Sequence, residues 1–332
     1  MSKIPQTPRD LERRRLTLGL AAAVPVALMP QFAWASFPDK QIKLIVPYSA
    51  GGGTDAIGRQ LAQRLSPALG QNVIVDNRPG ADGMIGTDMC AKAAPDGSTL
   101  VLVMASHLIN PLVIAKMPFD TLKDLVGVTM VAAGPLGFFV GPDVPASNMK
   151  ELLALIKKTP GKYSYGSSES MTRLVGAMYI EGQKLDAVSI PYKGSAPLIN
   201  DVAAGMTTIA VSSVVSAKAL TVAGRLKCLA VTGPERSALL PDVPTMTEQG
   251  FPAFEQVRTT YSLFAPAATP PATLERLNKE IATILQMPDM KKFLADQSAY
   301  PVGNTVHDFN EQVKQESQFW GGLAKMINLK PE

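Results

Sequence analysis

Three short clusters in the chain carry groups that could hold a small molecule. The first is Tyr48-Ser49-Ala50-Gly51-Gly52-Gly53-Thr54-Asp55, where consecutive glycines separate an apolar run from a helical pattern. Glycines let backbone N–H groups approach a ligand unobstructed, and the start of the following helix adds partial positive charge, so the chemistry on offer is anion binding. Thr54 is placed to cap that helix, with Asp55 in its first turn. The second cluster is Ser106-His107 at the end of "STLVLVMAS", and the third is Ser167-Ser168 at the end of "KYSYGSS". Small hydroxyl residues at the C-terminal ends of parallel strands are where open α/β sheets bind ligands. Hydroxyls and backbone donors from two such units can surround a carboxylate with neutral hydrogen bonds. The competing reading is a tight turn with no ligand and serines that are merely solvated. Three loops of one chemistry favour binding.

Other chemistries find less support. Thr54-Asp55-Ala56 stands where a Walker sequence would place Lys-Ser/Thr, and the next glycine after Gly53 is Gly58, inside the helix, so neither nucleotide fingerprint is formed. There is no Gly-x-Ser-x-Gly elbow. Ser106 and His107 are neighbours in sequence and point to opposite faces of a strand, which is not dyad spacing. His107 and His307, the two histidines, lack partners at metal-ligand spacing. Cys90 and Cys228 sit in helical and apolar contexts and read as free, buried thiols. No metal, cofactor or catalytic residue is expected.

The elements that must position these loops alternate in kind. From Gln41 onward, short β-branched runs exchange with helical patterns, the signature of an α/β fold with a largely parallel sheet. "IKLIVPY" reads as a strand, and the helix behind the glycines places Ile57, Leu61, Leu65 and Leu69 on one face. A second unit opens after "GPDVPAS", where Asn148 and Glu151 have capping-box spacing. Helices are expected over about 271–286, 288–297 and 305–324, packing back on the first unit. Two units in one chain imply two lobes with a cleft: residues 36–140 plus about 260–332 in lobe 1, and about 141–259 in lobe 2.

Composition limits the partners. The 332 residues are 46% hydrophobic and 18% charged, enough apolar material for sizeable cores. The formal charge of +4 is concentrated at the start: residues 1–35 carry +3 and the rest +1, too little for a nucleic-acid surface. Arg13-Arg14-Arg15, the apolar "LTLGLAAAVPVALMP" and "AWA" at Ala33–Ala35 together describe a cleaved export signal, of twin-arginine or general secretory type, with a mature protein starting near Ser36. The apolar run is shorter than the roughly 20 residues of a membrane span.

Beyond these arguments, "FPDKQIKLIVPYSAGGGTDAIGRQLAQRLSPALGQNVIVDNRPGADGMIGTDMCAKAAPDGSTLVLV" resembles the start of the tripartite tricarboxylate transporter receptors, the Bug-type solute-binding proteins. "IPYKGSAPLINDVAAG", "LAVTGPERSALLPDVPTMTEQGFPAFE" and "LFAPAATP" continue the likeness, so that it covers essentially all of residues 37–330. The resemblance implies a type II periplasmic-binding-protein fold whose two lobes close on a ligand. It implies a periplasmic receptor, not an enzyme, that captures a small organic carboxylate for a membrane permease. A dicarboxylate or an aromatic acid is favoured, and a monomer is the default. It carries ligand contacts onto Tyr48 through Asp55, Ser106 and Ser167-Ser168. His107, Tyr192 and Ser212 complete the expected site, with Arg173 as a candidate partner for a second carboxylate.

The chain also departs from the family pattern. Ser212-Ser213 replaces an acidic-Asn pair, which argues against a ligand ammonium there. Arg173 stands where many members carry histidine, and it either faces the cleft or lies on a solvated helix face. Glu169, an awkward neighbour for an anion, is expected to point outward. Thr260 and Tyr261 replace bulkier aromatic positions. A receptor presenting its ligand to a sensor, and an exported hydrolase, are the alternative functions.

Overall fold

The computed structural model describes residues 37–326, 329 and 331; the expected export signal lies outside them. β1 (Ile42–Val46) is buried at four of five positions, as expected of a strand covered on both faces. The glycine turn leads into α1 (Gly53–Leu69), which buries Ile57, Leu61, Leu65 and Leu69 along one face. β2 (Val73–Asn77) pairs parallel with β1, Leu44 opposite Val75. A tight turn over Ala81–Gly83 opens α2 (Met84–Ala91). β3 (Thr99–Met104) then joins the other side of β1 in parallel. The short helix α3 (Ser106–Val113), absent from the sequence reading, follows at once.

β4 (Leu125–Gly134) and β5 (Leu136–Val140) were also not read from sequence. Nearly every residue of both is buried, so no alternation marks them. α4 (Met149–Lys158) starts where the Asn148 side chain accepts the Glu151 N–H at 2.9 Å, as the capping spacing predicts. β6 (Tyr163–Ser167), α5 (Ser170–Gly182), β7 (Ala187–Pro191), α6 (Ser195–Ala203), β8 (Ile209–Ser213), α7 (Val214–Val222) and β9 (Lys227–Val231) follow. The chain ends with β10 (Thr259–Pro266), α8 (Pro271–Gln286), α9 (Pro288–Asp296), β11 (Tyr300–Pro301) and α10 (Val306–Met326).

Two sheets result. One runs β11-β4-β10-β3-β1-β2 and the other β7-β6-β8-β5-β9. Each is mixed, which corrects the expectation of largely parallel pairing: β10 runs antiparallel to β3 and β4, and β5 antiparallel to β8 and β9. The antiparallel strands follow from the chain passing between sheets. It leaves the first through Pro135, ahead of the expected lobe start at 141, and returns between Val231 and Thr259. At the crossings the Leu136 N–H donates to Thr232 Oγ1 at 2.9 Å and the Thr232 N–H to the Leu136 carbonyl at 2.8 Å. The last helices pack on the first sheet. Asn310 exchanges two 2.9 Å hydrogen bonds with the Gly127 backbone, and Asn278 donates to the Val128 carbonyl at 2.9 Å.

Candidate ligand site

A cavity of about 390 Å³ opens between the two sheets. From the first sheet it is lined by Tyr48, Ser49, Gly52, Gly53, Thr54, Asp82, Met104, Thr259 and Tyr261. Leu136, Ser168, Glu169, Gly194, Ser195, Ser213, Val215 and Ser216 complete it from the second. It thus sits at the carboxyl ends of β1, β3, β6, β7 and β8, where open α/β sheets take ligands. A larger hollow of about 700 Å³, against Arg258, Glu311, Gln315 and Phe319, is lined largely by α10 and collects no such strand ends.

The glycine turn is built from below. Gly51 adopts φ +84°, a conformation that favours glycine, and its N–H donates to Asp55 Oδ2 at 2.9 Å. Asp55 is buried and also accepts from Arg59 Nε at 3.0 Å and Asn77 Nδ2 at 2.9 Å. Burial raises its pKa, but these three donors outweigh it and hold the carboxyl below its usual range. Asp55 is therefore the internal anchor of the turn and does not line the cavity. Thr54 is not the helix cap: Gly52 is, with no side-chain cap, and Thr54 lies buried in the first turn. The N–H groups of Gly52, Gly53 and Thr54 are the orphan donors of a helix start. None meets an acceptor among the described residues, and all three residues line the cavity. Ser49 lines it too, whereas Ala50 and Gly51 are exposed without lining it.

The remaining expected residues divide. The Tyr48 hydroxyl accepts the Met104 N–H at 3.1 Å and meets Ser106 Oγ at 3.3 Å, and burial pushes its pKa upward. Tyr48 walls the cavity; Ser106, fully buried, props it from behind. His107 lies in the core between the rings of Phe119 and Phe264, at 5.9 and 4.9 Å, and does not reach the cavity. Burial pushes its pKa down to about 4, so it is neutral. Ser167 is buried, its carbonyl accepting from the Tyr192 N–H at 2.8 Å, while Ser168 lines the cavity with its Oγ 3.3 Å from Ser195 Oγ. The Tyr192 hydroxyl turns to Asp201 and Thr207, at 2.9 and 2.6 Å, and Tyr192 is outside the lining. Ser212 is buried with its Oγ unpartnered among the described residues; its neighbour Ser213 is the one that lines the cavity. Arg173 is half-buried in α5 and does not line it.

Two residues change the electrostatics. Glu169, expected to point outward, lines the cavity, and burial followed by the charge of Asp82 pushes its carboxyl up to about 8. Asp82, which no sequence signal singled out, faces it from the first sheet. Tyr261 is pushed up to about 12 by burial and by Glu169. No lysine, arginine or histidine is among the residues lining the cavity.

Residues 57–329 match the tripartite tricarboxylate transporter family receptor. The chain belongs to this family. Protein BugT of Bordetella pertussis is 33% identical over 299 residues, covering 89% of this chain and 91% of BugT. Among solved structures, R. palustris Rpa4515 with adipate superposes with a TM-score of 0.81 at 30% identity, over 89% of this chain and 100% of that one. The periplasmic binding protein BugD gives a TM-score of 0.78 at 30% identity, again over 89% and 100%. The receptor therefore has the type II periplasmic-binding-protein fold of two α/β lobes around a cleft, and its family is one of solute receptors, not of enzymes.

Proposed function

We propose that this receptor works in the periplasm, capturing a small organic carboxylate in the interlobe cavity and delivering it to a membrane permease of the tripartite tricarboxylate type. The observation that carries this reading is the set of three unpartnered N–H groups at Gly52, Gly53 and Thr54, opening on a cavity walled by hydroxyls. Such donors suit an oxyanion, and the α1 dipole reinforces them. Tyr261 stands close by: a Cβ on Gly53 would lie 3.6 Å from its hydroxyl. Adipate bound to the R. palustris neighbour supports the ligand class. Ligand contacts from both lobes fit a receptor whose closed form is selected by its cargo.

Isothermal titration of the purified receptor with mono- and dicarboxylates tests the reading. Gly53→Pro supplies the decisive variant, because proline is accepted at the first helical position and deletes one N–H alone. The extended backbone of Gly52, φ −79° and ψ 169°, suits the residue before a proline. Losing one charge-assisted donor weakens carboxylate binding by about tenfold or more. Binding of no carboxylate by the folded protein, or undiminished affinity in Gly53→Pro, defeats the proposal.

A further inference from the structure

We propose that Glu169 ties carboxylate capture to a proton: the receptor holds its anion while the Glu169 carboxyl is protonated and loosens its hold once that carboxyl ionises. The inference rests on the reading of the cavity as a carboxylate site and adds the residue that conditions it.

Three helix starts open on the cavity with main-chain donors. To the N–H groups of Gly52, Gly53 and Thr54 at α1 are added those of Ser195 at α6 and of Val215 and Ser216 at α7, which also meet no acceptor among the described residues. The fourth start, that of α5, differs. Asp82 Oδ2 accepts both the Ser170 N–H at 3.1 Å and the Ser170 hydroxyl at 2.6 Å, so a carboxylate of the chain already occupies it. Glu169, the residue before Ser170, lines the same cavity as a second carboxyl. A captured anion is thus the third carboxyl in a space whose lining holds no cationic side chain.

The groups around Glu169 leave its charge without an offset. Asp82 faces it from the turn ahead of α2, Tyr48 from the end of β1 and Tyr261 from β10, and the Glu169 charge bears on both phenols. Tyr261 adjoins the α1 turn, its hydroxyl 3.6 Å from where a Cβ on Gly53 would lie. The Glu169 carboxyl is therefore within electrostatic reach of an anion bound at that turn. α3, packed beside α5, brings only His107, neutral in the core, and α10 turns Glu316 to Arg258 at 3.8 Å. Arg173, Lys193 and Lys218 lie outside the lining. Burial and then Asp82 push the Glu169 carboxyl up to about 8, and an anion seated beside it pushes it higher still. Near pH 7 the group is neutral and offers the cavity an O–H donor; ionised, it opposes the ligand as like charge.

Calorimetric titration with hexanoate, benzoate and adipate, which stay ionised throughout, from pH 6.5 to pH 9.5 tests this. The affinity of whichever binds is expected to stay level to about pH 7.5 and to fall by about tenfold by pH 9.5. At pH 8.5 the binding heat varies with the ionisation enthalpy of the buffer, because capture takes up protons. Burial holds Tyr48 and Tyr261 above this window. Glu169→Gln keeps a donor and cannot ionise, so it is expected to retain its pH 7 affinity at pH 9.5 and to lose the buffer-dependent heat. Ligand-free unfolding checks that the variant folds. Level affinity up to pH 9.5 in the unaltered receptor, or an equal fall in folded Glu169→Gln, overturns the inference and leaves the receptor reading intact. Binding of no carboxylate at any of these pH values defeats both.

Discussion

His107 is held neutral between two phenylalanine rings, its Nε2 without a partner among the described residues. Its folded pKa of about 4 lies below the ordinary value of 6.5, so between those limits the unfolded chain binds the extra proton. The stability this neutrality confers is complete above pH 6.5 and is lost as pH falls toward 4. Urea unfolding of the receptor and of His107→Gln is expected to show their difference in unfolding free energy shifting by about 3 kcal/mol against the wild type between pH 7 and pH 4. A pH-independent difference contradicts the assignment. The sequence could not place this histidine: Ser106 and His107 read as the end of a strand, but β3 stops at Met104 and both already belong to α3, which carries the imidazole into the core. Ser212 and Ser213 pose the same problem, since a single position decides between a buried hydroxyl and a cavity wall.

At the scale of an element, the start of α1 was legible because glycines following an apolar run leave little else to form. What the sequence misassigned there was the internal chemistry. Asp55 was read as part of the ligand shell, yet it binds Gly51, Arg59 and Asn77 and so fixes the turn from beneath. Its partner Asn77 lies at the end of β2, 22 residues on, a proximity that only strand pairing creates. Asp55→Ala therefore costs about 2–3 kcal/mol of stability, because it strands a buried side of the turn and removes charge-assisted bonds. Chemical denaturation measures it; a loss under about 0.5 kcal/mol, the ordinary range for a surface substitution, refutes it. Carboxylate affinity falls in the same variant as the three free N–H groups lose their common aim. β4 and β5 escaped notice for the opposite reason, being buried on both sides and so without alternation.

Across the whole molecule, two lobes and the cleft between them followed from the two runs of alternating elements and from family likeness. The charge in that cleft did not, because Asp82 and Glu169 lie 87 positions apart and meet only when the lobes face each other. The lobes communicate through two chain crossings joined at Thr232, which is fully buried. Thr232→Val leaves the Leu136 N–H without its acceptor, which costs about 1–3 kcal/mol. Hydrogen exchange is expected to quicken at residues 136–137 and 231–233 while the interiors of both sheets keep their protection. Uniform quickening throughout would mean that Thr232 supports the global fold and has no special part in the crossings.

That reciprocal pair of bonds is short, local and made almost wholly of peptide groups. Its surroundings are packed, with Leu136 and Val231 buried and one continuous set of buried side chains, Val103 and Phe264 from one lobe with Phe138 and Tyr179 from the other, running past the join. Opening and shutting must therefore leave that seam of side chains in place, so any change of posture is a small rotation about it, set against what the cargo contributes at the lips.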